Sequence, residues 1–157
     1  MVKKFQCIHV SFMMIYISHR GYIDGPDKKL ENNSNSILKL LNKNIQVEID
    51  VRYYKKSFYL GHDGPKYQID KKYLLNKGLW CHAKDSKTLD KLREINCHYF
   101  WHQEDDYTIT SKGFIWVYPG KNLLKGCIAV LPENNYKNFS ICYGICTDNI
   151  KKYKNNL

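Results

Sequence analysis

Strand and helix signals alternate along this chain, and nearly every strand signal runs into a polar or charged residue. His19, Asp50, Lys84, His102, Glu133 and Asp148 each close, or closely follow, an apolar run. Strands alternating with helices imply a parallel sheet. In a β/α barrel the C-terminal ends of the strands are where an active site lies. The expected fold is therefore α/β, a shortened (β/α) TIM-type barrel of about seven mostly parallel strands, counted from the strong strand signals. A full barrel generally needs at least ~200 residues. This chain has 157, so some helices are expected to be replaced by loops.

The individual signals follow from spacing. Residues 15–21 read as a buried strand ending in a polar turn. Asn33 or Ser34 caps a helix whose apolar residues Ile37, Leu38, Leu40 and Leu41 recur at helical intervals. In residues 46–51, Val47, Ile49 and Val51 share one strand face, so Glu48 and Asp50 share the other. A short strand at 58–62 is closed by the turn residues Asp63-Gly64-Pro65. Asp70 caps a short helix that runs to Asn76. Strand 79–84 precedes a helix capped by Ser86 and carrying Leu89, Leu92 and Ile95. Further strands are expected at 97–102, 114–118, 126–131 and 141–147. The barrel domain is placed at residues 15–150. Residues 1–14 form an N-terminal extension leading into the first strand, and residues 151–157 a polar tail.

Hydrophobic residues make up 43% of the chain and aromatics 14%, the balance of a globular rather than a disordered protein. The formal charge of +10 would draw an anionic substrate or a membrane headgroup. Lysine is scattered, however, and no arginine/aromatic stripe or nucleic-acid motif is present. Nucleic acid is therefore not an expected partner. The six cysteines show no C-x-x-C spacing and read as buried free thiols. Met1-Val2-Lys3-Lys4 and the apolar run to Ile17 have the outline of a signal peptide. They lack a small-residue cleavage site, and cleavage there would damage the His19 region. A cytoplasmic location is expected, with secretion left open. No segment reaches the ~20 apolar residues needed to span a bilayer.

Two carboxylates on one strand face are expensive to bury unless something neutralises them. A hard divalent cation would do so for Glu48 and Asp50. His19-Arg20-Gly21 adds a histidine that can move a proton at neutral pH and an arginine fork matched to phosphate oxygens. Gly61-His62-Asp63 supplies a second histidine at another strand end, with a carboxylate beside it. Two histidines and an acidic pair on neighbouring strands suit phosphodiester cleavage. One histidine takes the nucleophile's proton and the other gives one to the leaving oxygen.

The succession His19-Arg20-Gly21, Glu31-Asn32-Asn33, Glu48-Ile49-Asp50-Val51 and His62-Asp63 resembles the signature of the glycerophosphodiester phosphodiesterase family. That family reads HRG, ENT, ExDV and HD in this order. His82-Ala83-Lys84 stands where the family has Glu-x-Lys, and Gly144-Ile145-Cys146-Thr147-Asp148 resembles its closing strand. The likeness covers residues 15–150 and is faint between Tyr99 and Tyr143. It implies that His19 and His62 are the acid/base pair and that Arg20 and Lys84 meet phosphate. Glu48 and Asp50 would bind Mg²⁺ or Ca²⁺, with Glu31 supporting the histidines and Asp63 beside His62. The family uses a vicinal substrate hydroxyl as first nucleophile, giving a cyclic phosphate that water opens. His82 replaces the family's third metal carboxylate and makes Mn²⁺ or Zn²⁺ candidates as well.

His102 is a further candidate contact to phosphate or metal, and Glu133 a candidate late ligand. His9 and His98 read as ordinary strand histidines. The expected activity is hydrolysis of glycerophosphodiesters or a related headgroup. Two alternatives stand beside it: a phospholipase-like activity on lipid or lysolipid at a membrane surface, and a non-catalytic barrel that binds a phosphorylated ligand.

Overall fold

The computed structural model describes residues 14–154. His9, Cys7 and the apolar N-terminal run up to residue 13 lie outside them. Among the described residues ten strands form one sheet: β1 (Ile15–His19), β2 (Gln46–Tyr54), β3 (Ser57–Leu60), β4 (Tyr67–Ile69), β5 (Leu79–Ala83), β6 (Tyr99–Phe100), β7 (Tyr107–Ile109), β8 (Ile115–Val117), β9 (Ile128–Val130) and β10 (Gly144–Thr147). Among the described residues three α-helices accompany them: α1 (Ser34–Asn42), α2 (Ser86–Arg93) and the single-turn α3 (Pro132–Asn135).

A helix-clad TIM-type barrel of mostly parallel strands does not form. The sheet is mixed and curls into a half-barrel. Parallel pairings join β6, β5, β2, β1, β10, β9 and β8 in that spatial order, but β3 pairs antiparallel with β2, β4 with β3 and β7 with β8. The physical reason lies in the connections. A β-to-β crossover that includes a helix needs at least ~10–12 residues. The link from β8 to β9 is barely that long, and the one from β6 to β8 is taken up by β7. Where a helix would cover the outer face of β8, β9 and β10, the loop side chains of Leu123, Tyr136 and Phe139, with Tyr153, pack on Val117, Ala129 and Ile145 instead.

β2 organises the molecule. Its outward face, Val47, Ile49 and Val51, joins the cluster that receives Ile37 and Leu40 of α1 and Leu92 of α2. Its carbonyls show how the neighbours divide it. Glu48 and Asp50 accept from Arg20 and Gly61, so β3 continues the edge that β1 begins, whereas Val51 accepts from Lys84 on the β5 side. Asn33 caps α1 through its side chain, and Asp85 rather than Ser86 caps α2. The helix expected after Asp70 shrinks to one 3₁₀ turn, Tyr73–Leu75. The stretch after residue 150 begins with a 3₁₀ turn, Ile150–Lys152, whose Ile150 is buried.

Inside the half-barrel, alternation stacks two layers. Ile17, Trp80, Phe100, Trp116, Ile128 and Cys146 form an apolar floor. One residue pair further along four of these strands stand His19, His82, His102 and Asp148, at the positions that share the floor's face. No helix among the described residues is long and apolar enough to cross a membrane.

Candidate functional site

Glu48 and Asp50, on the inward face of β2, are 1% and 0% exposed. Burial at that depth demands counter-charges and hydrogen bonds, and the surrounding elements deliver them. Asn32, from the loop before α1, donates its amide to Asp50 Oδ2 at 2.9 Å and accepts from the Asp50 backbone N–H at 2.9 Å. Arg20 Nε lies 3.1 Å from the same oxygen, and Lys84 Nζ lies 3.2 Å from Oδ1. His82, opposite Asp50 on β5, brings Nδ1 to 3.5 Å from Asp50 Oδ1 and 3.6 Å from Glu48 Oε1. Glu48 Oε2 accepts from the Arg20 backbone N–H at 3.2 Å.

These contacts set the protonation states. Burial alone would raise the Asp50 pKa, but the His82 imidazole and the charges of Lys84 and Arg20 outweigh it and hold the carboxyl well below its ordinary range. Burial works to lower the His82 pKa, and the facing Asp50 and Glu48 carboxylates reverse that, so it lies above the ordinary histidine value. Arg20 is raised likewise, with Asp50 and Glu48 overcoming the effect of burial.

One ligand atom each from Glu48, Asp50 and His82 lies within 4.8 Å of the others. Asp50 Oδ1 is buried without an aligned hydrogen bond, because Lys84 reaches it as a charge and not along a bonding direction. Two carboxylate oxygens and an imidazole nitrogen form a donor set that suits a divalent ion, and the orphaned Asp50 oxygen is where such an ion gains most. These three residues could hold a metal ion.

The two histidines of the sequence motifs stand at the mouths of β1 and β3. His19 Nδ1 lies 2.5 Å from Asp148 Oδ1 at the end of β10, and its Nε2 lies 3.9 Å from Glu48 Oε2. His62 Nδ1 lies 2.7 Å from Asp63 Oδ1. Its turn depends on Gly61, at φ +150°, where a Cβ would fall 2.0 Å from the Gly64 carbonyl oxygen. Arg52 ties the turn down by donating to the carbonyls of Gly61 and His62. His19, Arg20, Glu48, His62, His82, Lys84 and His102 line one cleft of about 290 Å³. A larger depression between β3, β4 and α2, lined by Tyr53, Phe58 and Lys91 among others, contains neither histidine nor cysteine.

No family model, curated protein or solved structure matches this chain.

The remaining sequence candidates fall at different distances from the chemistry. Glu31 accepts from the Tyr22 hydroxyl at 2.5 Å and from Lys28 at 3.3 Å, and lies 3.7 Å from Arg20 Nη1. It has no direct contact with either histidine, but its partner Tyr22 meets the His19 imidazole edge-to-face at 6.1 Å between centroids. Asp63 does contact His62. His102 stacks on His82 at 4.6 Å and 12°, with its Nδ1 buried and without a hydrogen bond. Burial, then the charges of His82 and Lys84, lower its pKa to about 4. Glu133 is not among the residues lining the cleft. It accepts from the Thr147 hydroxyl at 2.6 Å. His98 is buried on Thr110, away from the site.

Three contributors were not assigned a site role from sequence: Asn32, Asp148 and Arg52. Asn32 sits inside the Glu31-Asn32-Asn33 motif and adopts φ +54°, a conformation that asparagine tolerates better than most residues. Asp148 carried the strand-end signal without a stated partner. Arg52 gave no signal, because its role appears only once β2 and β3 pair.

Proposed function

We propose that this chain is a metal-dependent phosphodiester hydrolase acting on glycerophosphodiesters or a related headgroup, with His19 and His62 as its acid/base pair. The observation that supports this best is the shared cleft, which gathers two cationic side chains, two histidines each paired with a carboxylate, and Glu48 and His82, with the buried Asp50 completing their donor set just beneath the lining. An ion held by Glu48, Asp50 and His82, whether Mg²⁺, Ca²⁺, Mn²⁺ or Zn²⁺, would polarise a phosphoryl oxygen. Arg20 and Lys84 would then be free to meet the phosphodiester anion. His19, oriented by Asp148 through Nδ1, has the arrangement of a base steered by a carboxylate. It would take the proton of a vicinal substrate hydroxyl. That oxygen forms a bond to phosphorus while the bond to the leaving oxygen breaks, and His62 protonates the leaving alcohol. Water then opens the cyclic product with the roles reversed.

A second reading has its own observation. Arg20 and Lys84 already neutralise Asp50, so the site is balanced without an ion and could hold a phosphorylated ligand without turnover. A panel of divalent ions crossed with glycerophosphocholine, lysophospholipid vesicles and bis(p-nitrophenyl) phosphate separates these readings, the last serving as the diester without a vicinal hydroxyl that the proposed first step cannot cleave. EDTA-sensitive release of alcohol is expected. Phosphate binding with no turnover under any ion would favour the second reading, and turnover confined to vesicles would assign a lipid substrate.

A further inference from the structure

The cleft has a second wall that the chemistry above does not use. Gln103, Trp116, Tyr118, Pro119 and Leu131 form it, on β8 and the loops after β6, β8 and β9. This is the stretch where the likeness to a known family is faintest, so nothing in the motifs describes it. None of the five is acidic. The same cleft is lined by the cationic Arg20 and Lys84 and by the carboxylate Glu48.

The wall is built to present apolar surface. Trp116 is buried against Phe100, their rings 4.6 Å apart, and supplies a fixed indole floor. Tyr118 is the open member at 45% exposed. Its backbone is held on both sides, the amide donating to Asp106 at 2.9 Å and the carbonyl accepting from Lys121 at 3.2 Å. The ring is therefore displayed from an anchored segment, edge-to-face with His102 at 6.1 Å between centroids. Leu131 occupies a left-handed conformation, φ +46° and ψ +53°. A bulky residue adopts it only where surrounding structure enforces it. Here its amide donates to Cys146 at 2.8 Å and holds it at the cleft.

Resting on the phosphodiesterase reading, we propose that this wall is the subsite for the ester substituent beyond the phosphate, and that it selects a compact, uncharged group with a planar or apolar face, such as an aryl group, over a quaternary ammonium. A cation can be attracted to an aromatic face. Here only one ring is open, none of the five wall residues is acidic, and the two cations Arg20 and Lys84 outnumber the one carboxylate, Glu48, that lines the cleft. The cleft volume of about 290 Å³ sits at the lower limit of the ~300–1,000 Å³ found for ligand pockets. It accommodates a phosphate with one small substituent and excludes the two chains of a diacyl lipid.

The test uses binding rather than turnover. Phenyl phosphate, phosphocholine and inorganic phosphate are titrated calorimetrically into the full chain, with and without Mn²⁺. Phenyl phosphate is expected to bind more tightly than phosphocholine by roughly 2- to 10-fold, the range of one aromatic contact. Tyr118→Ala should erase that difference, and Tyr118→Phe should keep it, since the ring and not the hydroxyl makes the contact. Equal affinities in the wild type, or a preference that survives Tyr118→Ala, would overturn the subsite. If all three anions bind without preference, only the subsite is lost. If none binds with or without Mn²⁺, the phosphodiesterase reading is lost as well.

Discussion

Asn32 and Asp50 hold each other through a reciprocal pair of hydrogen bonds, side-chain amide to carboxylate and backbone amide to side-chain carbonyl, both at 2.9 Å. The pair pins the loop before α1 to β2. It also occupies Asp50 Oδ2, leaving Oδ1 to face His82 and Lys84. The direction in which the most buried carboxylate of the site points is thus set by a residue of another element.

Replacing Asn32 tests that arrangement. Asn32→Ala leaves the buried Asp50 amide without its partner, which costs about 1–3 kcal/mol. It also places a Cβ residue lacking asparagine's local bonding in the left-handed region, worth about 1–2 kcal/mol. A combined loss of about 2–5 kcal/mol is expected in urea unfolding. Asn32→Gly should lose less, because glycine carries no penalty at φ +54°. Equal losses would show that the backbone conformation contributes nothing.

The metal site makes a separate prediction that does not depend on turnover. A ligand present at a hundred times its Kd stabilises the native state by about 2.7 kcal/mol. In a domain of this size that is a Tm rise of roughly 5–10 °C. The wild-type chain should show such a rise with Mn²⁺ or Mg²⁺. Glu48→Gln and Asp50→Asn should each lower the starting Tm or leave it unchanged, and should lose the metal-dependent increment. A wild-type Tm indifferent to every divalent ion would show that the cluster is neutralised by Arg20, Lys84 and His82 alone.

The sequence carried what depends on local spacing and concealed what depends on pairing. Alternation in residues 46–51 placed Glu48 and Asp50 on one face, and the structure buries that face inside the half-barrel. The apolar spacing at 37–41 and the Asn33 cap described α1. By contrast β4 and β7 are three-residue strands without a distinguishing pattern, and the antiparallel pairings of β3 with β2 and of β7 with β8 are what break the parallel expectation. The Asp70 carboxylate accepts from the Tyr73 amide at 2.8 Å, but the N-cap position of the turn is Lys72, which makes no side-chain cap. The helix Asp70 was expected to start does not continue past one turn. In the site, Asp148 and His19 are 129 positions apart. Their contact follows from the β1–β10 register, which no local pattern encodes.

Acid sensitivity should trace partly to His98. Its ring packs on Trp80 at 4.1 Å between centroids, and its Nε2 lies 2.8 Å from the Thr110 hydroxyl. Burial, with a smaller push from the Lys112 charge, lowers its pKa to about 4, against an ordinary value of 6.5. Between these values the unfolded chain binds a proton that the folded chain does not, so stability falls as pH drops from 6.5 towards 4 and is insensitive to this group above that window. Urea midpoints at pH 7 and pH 5 should therefore differ less in His98→Gln than in the wild type. His102 acts in the same direction and should leave a residual slope. An unchanged difference in His98→Gln would remove His98 from the account.

The last prediction concerns how Asp148 contributes. Its carboxylate lies 2.5 Å from His19 Nδ1 and is not among the residues lining the cleft. If it acts by orienting the imidazole and stabilising its charged form, its effect must pass entirely through His19. Removing a general acid or base costs roughly 10²–10⁴-fold in rate, so His19→Ala should fall in that range with its circular dichroism unchanged. Asp148→Asn keeps the side-chain shape and removes the charge, and should lower kcat by a smaller factor. The double variant decides the matter. Groups that act as a unit are strongly non-additive, so His19→Ala with Asp148→Asn should be no slower than His19→Ala alone. If the two losses multiply, Asp148 has a role independent of His19, and the pairing at the end of β1 and β10 is structural.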